Sequence, residues 1–150
     1  MKLALQQAHK SLGNTSLNPA VGCVITKKNH VISAGYTSLF GRPHAERNAI
    51  SHAKSNLKDS QLYVTLEPCS NFGKTPPCVN SIIKKKIKKV YFSIADPDPR
   101  SFNKSIKKFK KNKILFNKGI LANEVNNFYK SYIKSKKNEL PYVTAKLALS

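Results

Sequence analysis

Gln61-Leu62-Tyr63-Val64-Thr65-Leu66-Glu67-Pro68-Cys69 is the stretch on which the fold is read. Its first six residues are mostly apolar, β-branched or aromatic, a short strand, and Glu67-Pro68 closes it. Downstream, Thr75-Pro76-Pro77 sets a capping hydroxyl and prolines ahead of a helix from about Cys78 to Lys86. Lys89 to Ala95 then returns as a strand, stopped by Asp96-Pro97-Asp98-Pro99. Upstream, Val21 to Thr26 and His30 to Tyr36 are β-prone runs around Lys27-Lys28-Asn29, which predicts a hairpin. Ala45 to Ser55 reads as a helix with Ala45, Ala49, Ile50 and Ala53 on one side.

The ends of the chain continue this pattern. Residues 2 to 12 place Leu3, Leu5, Ala8 and Leu12 at helical spacing, with Gly13-Asn14 as the stop. A helix near Ile106 to Lys111, a strand near Ile114 to Phe116 and a helix from Leu121 to Lys134 follow. The order α-β-β-α-β-α-β-α-β-α predicts an α/β fold, a three-layer α/β/α sandwich around a mixed five-stranded sheet. Residues 1–136 are read as one domain. Residues 137–150 are read as a linker, with Lys137-Asn138-Glu139 following Lys136, and an apolar terminal segment, Pro141 to Leu149.

Composition narrows the class. A chain of 150 residues with 40% apolar residues can bury one core without disulfides. No apolar run approaches the roughly 18 to 20 residues that cross a bilayer, and Gln6-Gln7 interrupts the start before a secretory signal could form. A cytoplasmic address without membrane contact is expected. Lys and Arg number 27 against 7 acids, a net charge of +20. Three of the 27 are Arg (42, 47 and 100), leaving 24 Lys, whereas base and phosphate readout favours the planar fork of Arg. Runs such as Lys84-Lys85-Lys86 are therefore read as solvated surface that speeds capture of anionic substrates. Three cysteines, an odd number, point to thiolate chemistry over a disulfide framework.

The chemistry gathers in His44-Ala45-Glu46, Pro68-Cys69 and Pro77-Cys78. Catalytic zinc takes three nitrogen or thiolate ligands and keeps a fourth position for water, and one His with two Cys meets that count. His44 precedes a helix, Cys69 follows a strand and Cys78 opens a helix, whose N-terminus favours the thiolate. One Zn2+ per chain is expected on His44, Cys69 and Cys78. Glu46, two residues after His44, can reach the water without serving as a ligand, so it is the candidate proton shuttle. Cys23, mid-strand in an apolar run, is read as core, and His9, His30 and His52 as polar-face residues. Glu67 is expected to cap or brace the Cys69 turn, and Phe128, Tyr129 and Tyr132 to pack.

Zinc deaminases carry H-x-E followed by P-C-x-x-C. This chain matches the first half but sets Ser70-Asn71-Phe72-Gly73-Lys74-Thr75-Pro76-Pro77 between its cysteines. With that loop it resembles the deaminase domain of the bifunctional riboflavin-biosynthesis (RibD) family, whose loop reads P-C-S-x-x-G-K-T-P-P-C. Asn18-Pro19-Ala20-Val21-Gly22-Cys23-Val24-Ile25, Gly41-Arg42-Pro43-His44-Ala45-Glu46, Tyr63 to Cys69 and Asp96-Pro97-Asp98-Pro99 agree, so the resemblance spans about residues 1 to 149. It implies a cytidine deaminase-like fold and a zinc-dependent hydrolase acting on a cyclic amidine C–N bond. Diaminohydroxyphosphoribosylaminopyrimidine would lose its ring amino group as ammonia.

By position, the resemblance makes Asn18, Asn71, Lys74 and Thr75 substrate contacts and puts Asp96 and Asp98 at the ribose phosphate end. Lys74 suits the phosphate as a counter-charge. The family commonly has His where Asn71 stands, and Asn103-Lys104-Ser105 replaces its Gly-x-Gly. The bifunctional family's reductase begins near a segment like Pro141 to Ser150, so no NADPH site is expected in this chain. A separate reductase polypeptide and self-association are the expected partners, through the C-terminal helix and the terminal segment. Two other readings share parts of this pattern. A deaminase of tRNA or single-stranded nucleic-acid bases would use the basic surface but keep C-x-x-C. A non-catalytic, zinc-stabilised RNA-binding module would not need Glu46.

Overall fold

In the computed structural model, residues 1–137 and 142–148 are described. Five strands form one sheet: β1 (Gly22–Lys27), β2 (His30–Tyr36), β3 (Gln61–Leu66), β4 (Lys89–Ile94) and β5 (Leu115–Lys118). Their order is β2-β1-β3-β4-β5, with β1 antiparallel to both neighbours and β3, β4 and β5 parallel. Helices α1 (Lys2–His9), α2 (Ala45–His52), α3 (Cys78–Lys84), α4 (Lys104–Lys111), α5 (Ala122–Phe128) and α6 (Lys130–Lys136) alternate with them.

The β1–β2 hairpin turns at Lys28-Asn29, both with positive φ (48° and 63°). That is the backbone of a type I′ turn, whose twist matches the strands it joins. On β3, Leu62, Val64 and Leu66 are buried, and the parallel partners Val90, Phe92 and Ile94 lie beside them. Ala45, Ala49, Val79, Ile82 and Phe109, from α2, α3 and α4, complete this core. Intervening residues of β3 serve the other face, where Thr65 Oγ1 meets the Tyr129 hydroxyl at 2.7 Å at the end of α5. The result is three layers, helices on both faces of a mixed sheet.

Two glycines set the helix–sheet distances. A Cβ at Gly22 would lie 1.9 Å from the Ala4 carbonyl oxygen, so α1 seats directly on β1. A Cβ at Gly35 would lie 2.4 Å from the Ala49 nitrogen, so α2 rests on β2 with equal intimacy. The second contact seats α2 on the sheet, and the backbone bond from Val79 N–H to the Cys69 carbonyl ties the start of α3 to the chain leaving β3. Open α/β sheets bind their ligands at the C-terminal ends of their strands.

The elements follow the predicted order with shifts at their edges. The first helix ends at His9, and α2 ends at His52, where Ala53 turns extended (φ −69°, ψ 120°) ahead of the poor helix formers Ser55 and Asn56. The single helix expected over 121–134 is two, α5 and α6, meeting at Tyr129 (φ −93°, ψ 11°). The buried Tyr129 hydroxyl bonds to Thr65 and to the Ala20 carbonyl, so the chain bends to keep that ring on the sheet. Residues 142–148 are exposed and without regular secondary structure. The rest of the expected linker and terminal segment, 138–141 and 149–150, lies outside the described residues. No helix among the described residues is long and apolar enough to cross a membrane.

Candidate active site

His44 is the residue before α2, with extended backbone (φ −70°, ψ 158°), and its carbonyl accepts the helix's first hydrogen bond from Asn48. Cys69 follows β3, and Cys78 is the first residue of α3 after Pro77. Two backbone bonds tie the cysteines together, Cys78 N–H to Cys69 Sγ at 3.2 Å and Val79 N–H to the Cys69 carbonyl at 3.2 Å. The donor atoms of His44, Cys69 and Cys78 all lie within 4.8 Å of one another. His44 Nδ1 is 3.6 Å from Cys69 Sγ and 3.5 Å from Cys78 Sγ. Tetrahedral zinc, with bonds of about 2.0–2.1 Å to nitrogen and 2.3 Å to sulfur, sets such donors about 3.6 Å apart. The cluster fits a zinc ion. No fourth His, Cys, Asp or Glu joins it among the described residues.

The electrostatics agree. The hydrogen bond from the Cys78 thiol pulls Cys69 down to about 4, and His44 adds to the pull. The same hydrogen bond, with burial, pushes Cys78 up, and the bond to Cys69 raises His44. One proton is thus shared between two sulfurs that a cation would convert to two thiolates, releasing it. Glu46, in the first turn of α2, is 4% exposed. Burial lifts its carboxyl to about 7, and the nearby Cys69 charge lifts it too. A divalent cation would oppose that rise.

His44, Glu46 and Cys69 line a cleft of about 290 Å³, and the buried Cys78 joins it through the donor cluster. Asn18, Asn71, Thr75, Asp96 and Asp98 also line it. The structure therefore brings together all but one of the residues expected at the site. Lys74 is the exception. It is exposed and does not line the cleft, while its neighbours Gly73 and Thr75 do. Thr75 Oγ1 accepts a hydrogen bond from Arg42 Nη1 at 2.6 Å. Asn71 donates its amide to the Arg100 carbonyl, joining the loop after Cys69 to the loop after β4. Asp96 accepts from Asp98 N–H (3.0 Å) and from the Tyr132 hydroxyl (3.3 Å). Asp98 holds the Arg100 guanidinium at 2.6 Å, which draws its carboxyl down to about 2.

Three residues act here in ways the sequence did not announce. Glu67 does not brace the Cys69 turn. Its carboxylate accepts from Asp96 N–H (3.4 Å), Asn103 N–H (2.9 Å), Ser105 N–H (3.0 Å) and the Ser105 hydroxyl (2.6 Å), and so anchors the loop that carries both aspartates. Arg42 and Tyr132 also line the cleft, Tyr132 with its hydroxyl on Asp96. Ser105, standing where the family's second glycine was expected, adds a hydroxyl donor beside its backbone N–H, and that hydroxyl is the local signal for a buried acceptor.

The model of the cytidine and deoxycytidylate deaminase zinc-binding region matches residues 1–94. The chain is 39% identical over 141 residues to the diaminohydroxyphosphoribosylamino-pyrimidine deaminase of Buchnera aphidicola, covering 94% of this chain and 96% of that protein. It is 39% identical over 148 residues to the riboflavin biosynthesis protein RibD of Aquifex aeolicus, covering 99% of this chain and 42% of that one. The chain thus spans about two fifths of the length of the RibD relatives that it matches. Among solved structures, it superposes on the Thermotoga maritima diaminohydroxyphosphoribosylaminopyrimidine deaminase/5-amino-6-(5-phosphoribosylamino)uracil reductase with a TM-score of 0.88. That match has 40% identity and covers 92% of this chain and 40% of that chain.

Proposed function

The chain belongs to the cytidine and deoxycytidylate deaminase zinc-binding family, and on that premise we propose that it hydrolyses the ring amino group from diaminohydroxyphosphoribosylaminopyrimidine, releasing ammonia, in riboflavin biosynthesis. The observation that carries the reading is the buried Glu46 carboxyl beside three donors spaced for zinc.

In this reading His44, Cys69 and Cys78 would hold the metal. A zinc with three protein ligands keeps one position for water and lowers that water's pKa to about 7. Glu46 would take one proton from the attacking water and pass it to the ring nitrogen, then take the second from the resulting hydroxyl and pass it to the amine, which leaves as ammonia as the ring carbonyl forms. The Glu46 carboxyl, buried in the first turn of α2 beside the three donors, is placed for both halves of that task, and such transfer is worth about 10² to 10⁴ in rate. Asn18, Asn71 and Thr75 line the cleft where they can orient the ring. Asp96 and Asp98 shape the end assigned to the ribose phosphate, with Glu67 holding their loop. The catalytic unit is residues 1–136, and it works in the cytoplasm. A reductase that acts on the deaminated product is its partner, and self-association accompanies it.

The test is ammonia release from the phosphorylated pyrimidine, run beside a tRNA substrate, with zinc measured on the same sample. Stoichiometric zinc and turnover of the pyrimidine alone support the reading. Turnover of tRNA alone, or of neither, overturns it. Glu46→Gln should keep zinc and lower kcat by at least about 10².

A further inference from the structure

Three cations line the cleft: Arg42, Arg100 and Lys136. Two of them are already committed. Arg100 forks onto Asp98 with contacts of 2.6 to 3.2 Å, and Lys136 Nζ stands 3.9 Å from the same carboxylate. Arg42 differs. Among the described residues it has no carboxylate within ion-pair distance, and its one side-chain hydrogen bond goes to the neutral Thr75 hydroxyl.

The surroundings keep this guanidinium open to the cleft. Arg42 precedes a proline and has the extended backbone that such a position imposes (φ −149°, ψ 143°). Nη1 is pinned by Thr75, which aims the group. A Cβ at Gly73 would stand 3.6 Å from Nη2, so the loop passes that nitrogen without a side chain to cover it. A partly buried cation lacking a counter-ion is poorly solvated, and an entering anion repays that cost. The guanidinium fork matches two phosphate oxygens at once, which an ammonium cannot do. Lys74, the cation expected from the sequence, lies outside the lining.

We propose that Arg42 is the phosphate-recognising residue of the cleft, a specificity determinant resting on the deaminase reading above. Its free N–H groups receive the phosphate while Thr75 fixes their direction.

Two variants test this, Arg42→Gln and Arg42→Lys, each checked for zinc content and thermal stability. Steady-state kinetics are compared on the phosphorylated pyrimidine and on its dephosphorylated counterpart. Arg42→Gln should raise KM about 10- to 100-fold for the phosphorylated substrate and change KM for the dephosphorylated one far less. Arg42→Lys, which keeps charge without the fork, should fall between. Equal losses on both substrates, or an unchanged ratio of the two KM values, would overturn the assignment. Calorimetry with ribose 5-phosphate separates this idea from the deaminase reading, because it needs no turnover. Binding by the parent chain that Arg42→Gln abolishes supports Arg42 even if no ammonia forms. Equal binding by the two refutes Arg42 even if the chain is an active deaminase.

Discussion

Replacing Glu67 with Gln should lower stability more than its modest chemical change suggests. The side chain is 3% exposed and answers four donors, two on each oxygen. Oε2 takes Asp96 N–H and Asn103 N–H, while Oε1 takes Ser105 N–H and the Ser105 hydroxyl. An amide retains only one acceptor oxygen. The least costly placement turns its NH2 toward Ser105, whose hydroxyl can rotate to accept, and leaves the Ser105 N–H facing a donor. One stranded buried N–H costs about 1–3 kcal/mol, and losing a negative charge at the start of α4 adds about 0.3–1 kcal/mol. The sum is about 1.3–4 kcal/mol, or roughly 3 to 16 °C in Tm at 2–4 °C per kcal/mol for a chain of this size. Thermal unfolding followed by circular dichroism, at fixed zinc because bound metal shifts Tm, measures it. Glu67→Ala, which strands three backbone donors, should cost more. A Glu67→Gln protein melting within about 1 °C of the parent would refute the role given to this carboxylate.

Other outcomes follow from the same geometry. Cys69→Ala, or chelation of the parent chain, should remove zinc and lower Tm together, because the donors converge only in the folded chain; metal analysis alongside melting checks this. Gly22→Ala should destabilise by at least about 1–3 kcal/mol, since the new methyl would meet the Ala4 backbone at 1.9 Å, and chemical denaturation reads the loss. The Asp98 carboxyl should titrate near 2 by NMR, held down by the Arg100 guanidinium, and return toward about 3.9 in Arg100→Ala. A depressed carboxylate stabilises the fold above its free value and loses that contribution as pH falls through the folded one. The parent should therefore keep its loop to lower pH than Arg100→Ala.

The sequence alone determined the elements and the donor set. Gln61–Leu66 and His30–Tyr36 appear where their β-prone runs end at turn residues, because strand signals are carried by neighbours in the chain. His44, Cys69 and Cys78 were legible as a donor set because few residue types bind zinc, and each stands beside a helix start or strand end. Only the tertiary structure decided which distant groups meet. Glu67 finds its donors 29 to 38 residues away, and Thr75 is engaged by Arg42 at a separation of 33. Tyr129 breaks a helix because of Ala20 and Thr65, 109 and 64 residues upstream. No local periodicity encodes such pairings. They arise when burial strips water from polar groups and obliges each to find a partner wherever packing has placed one.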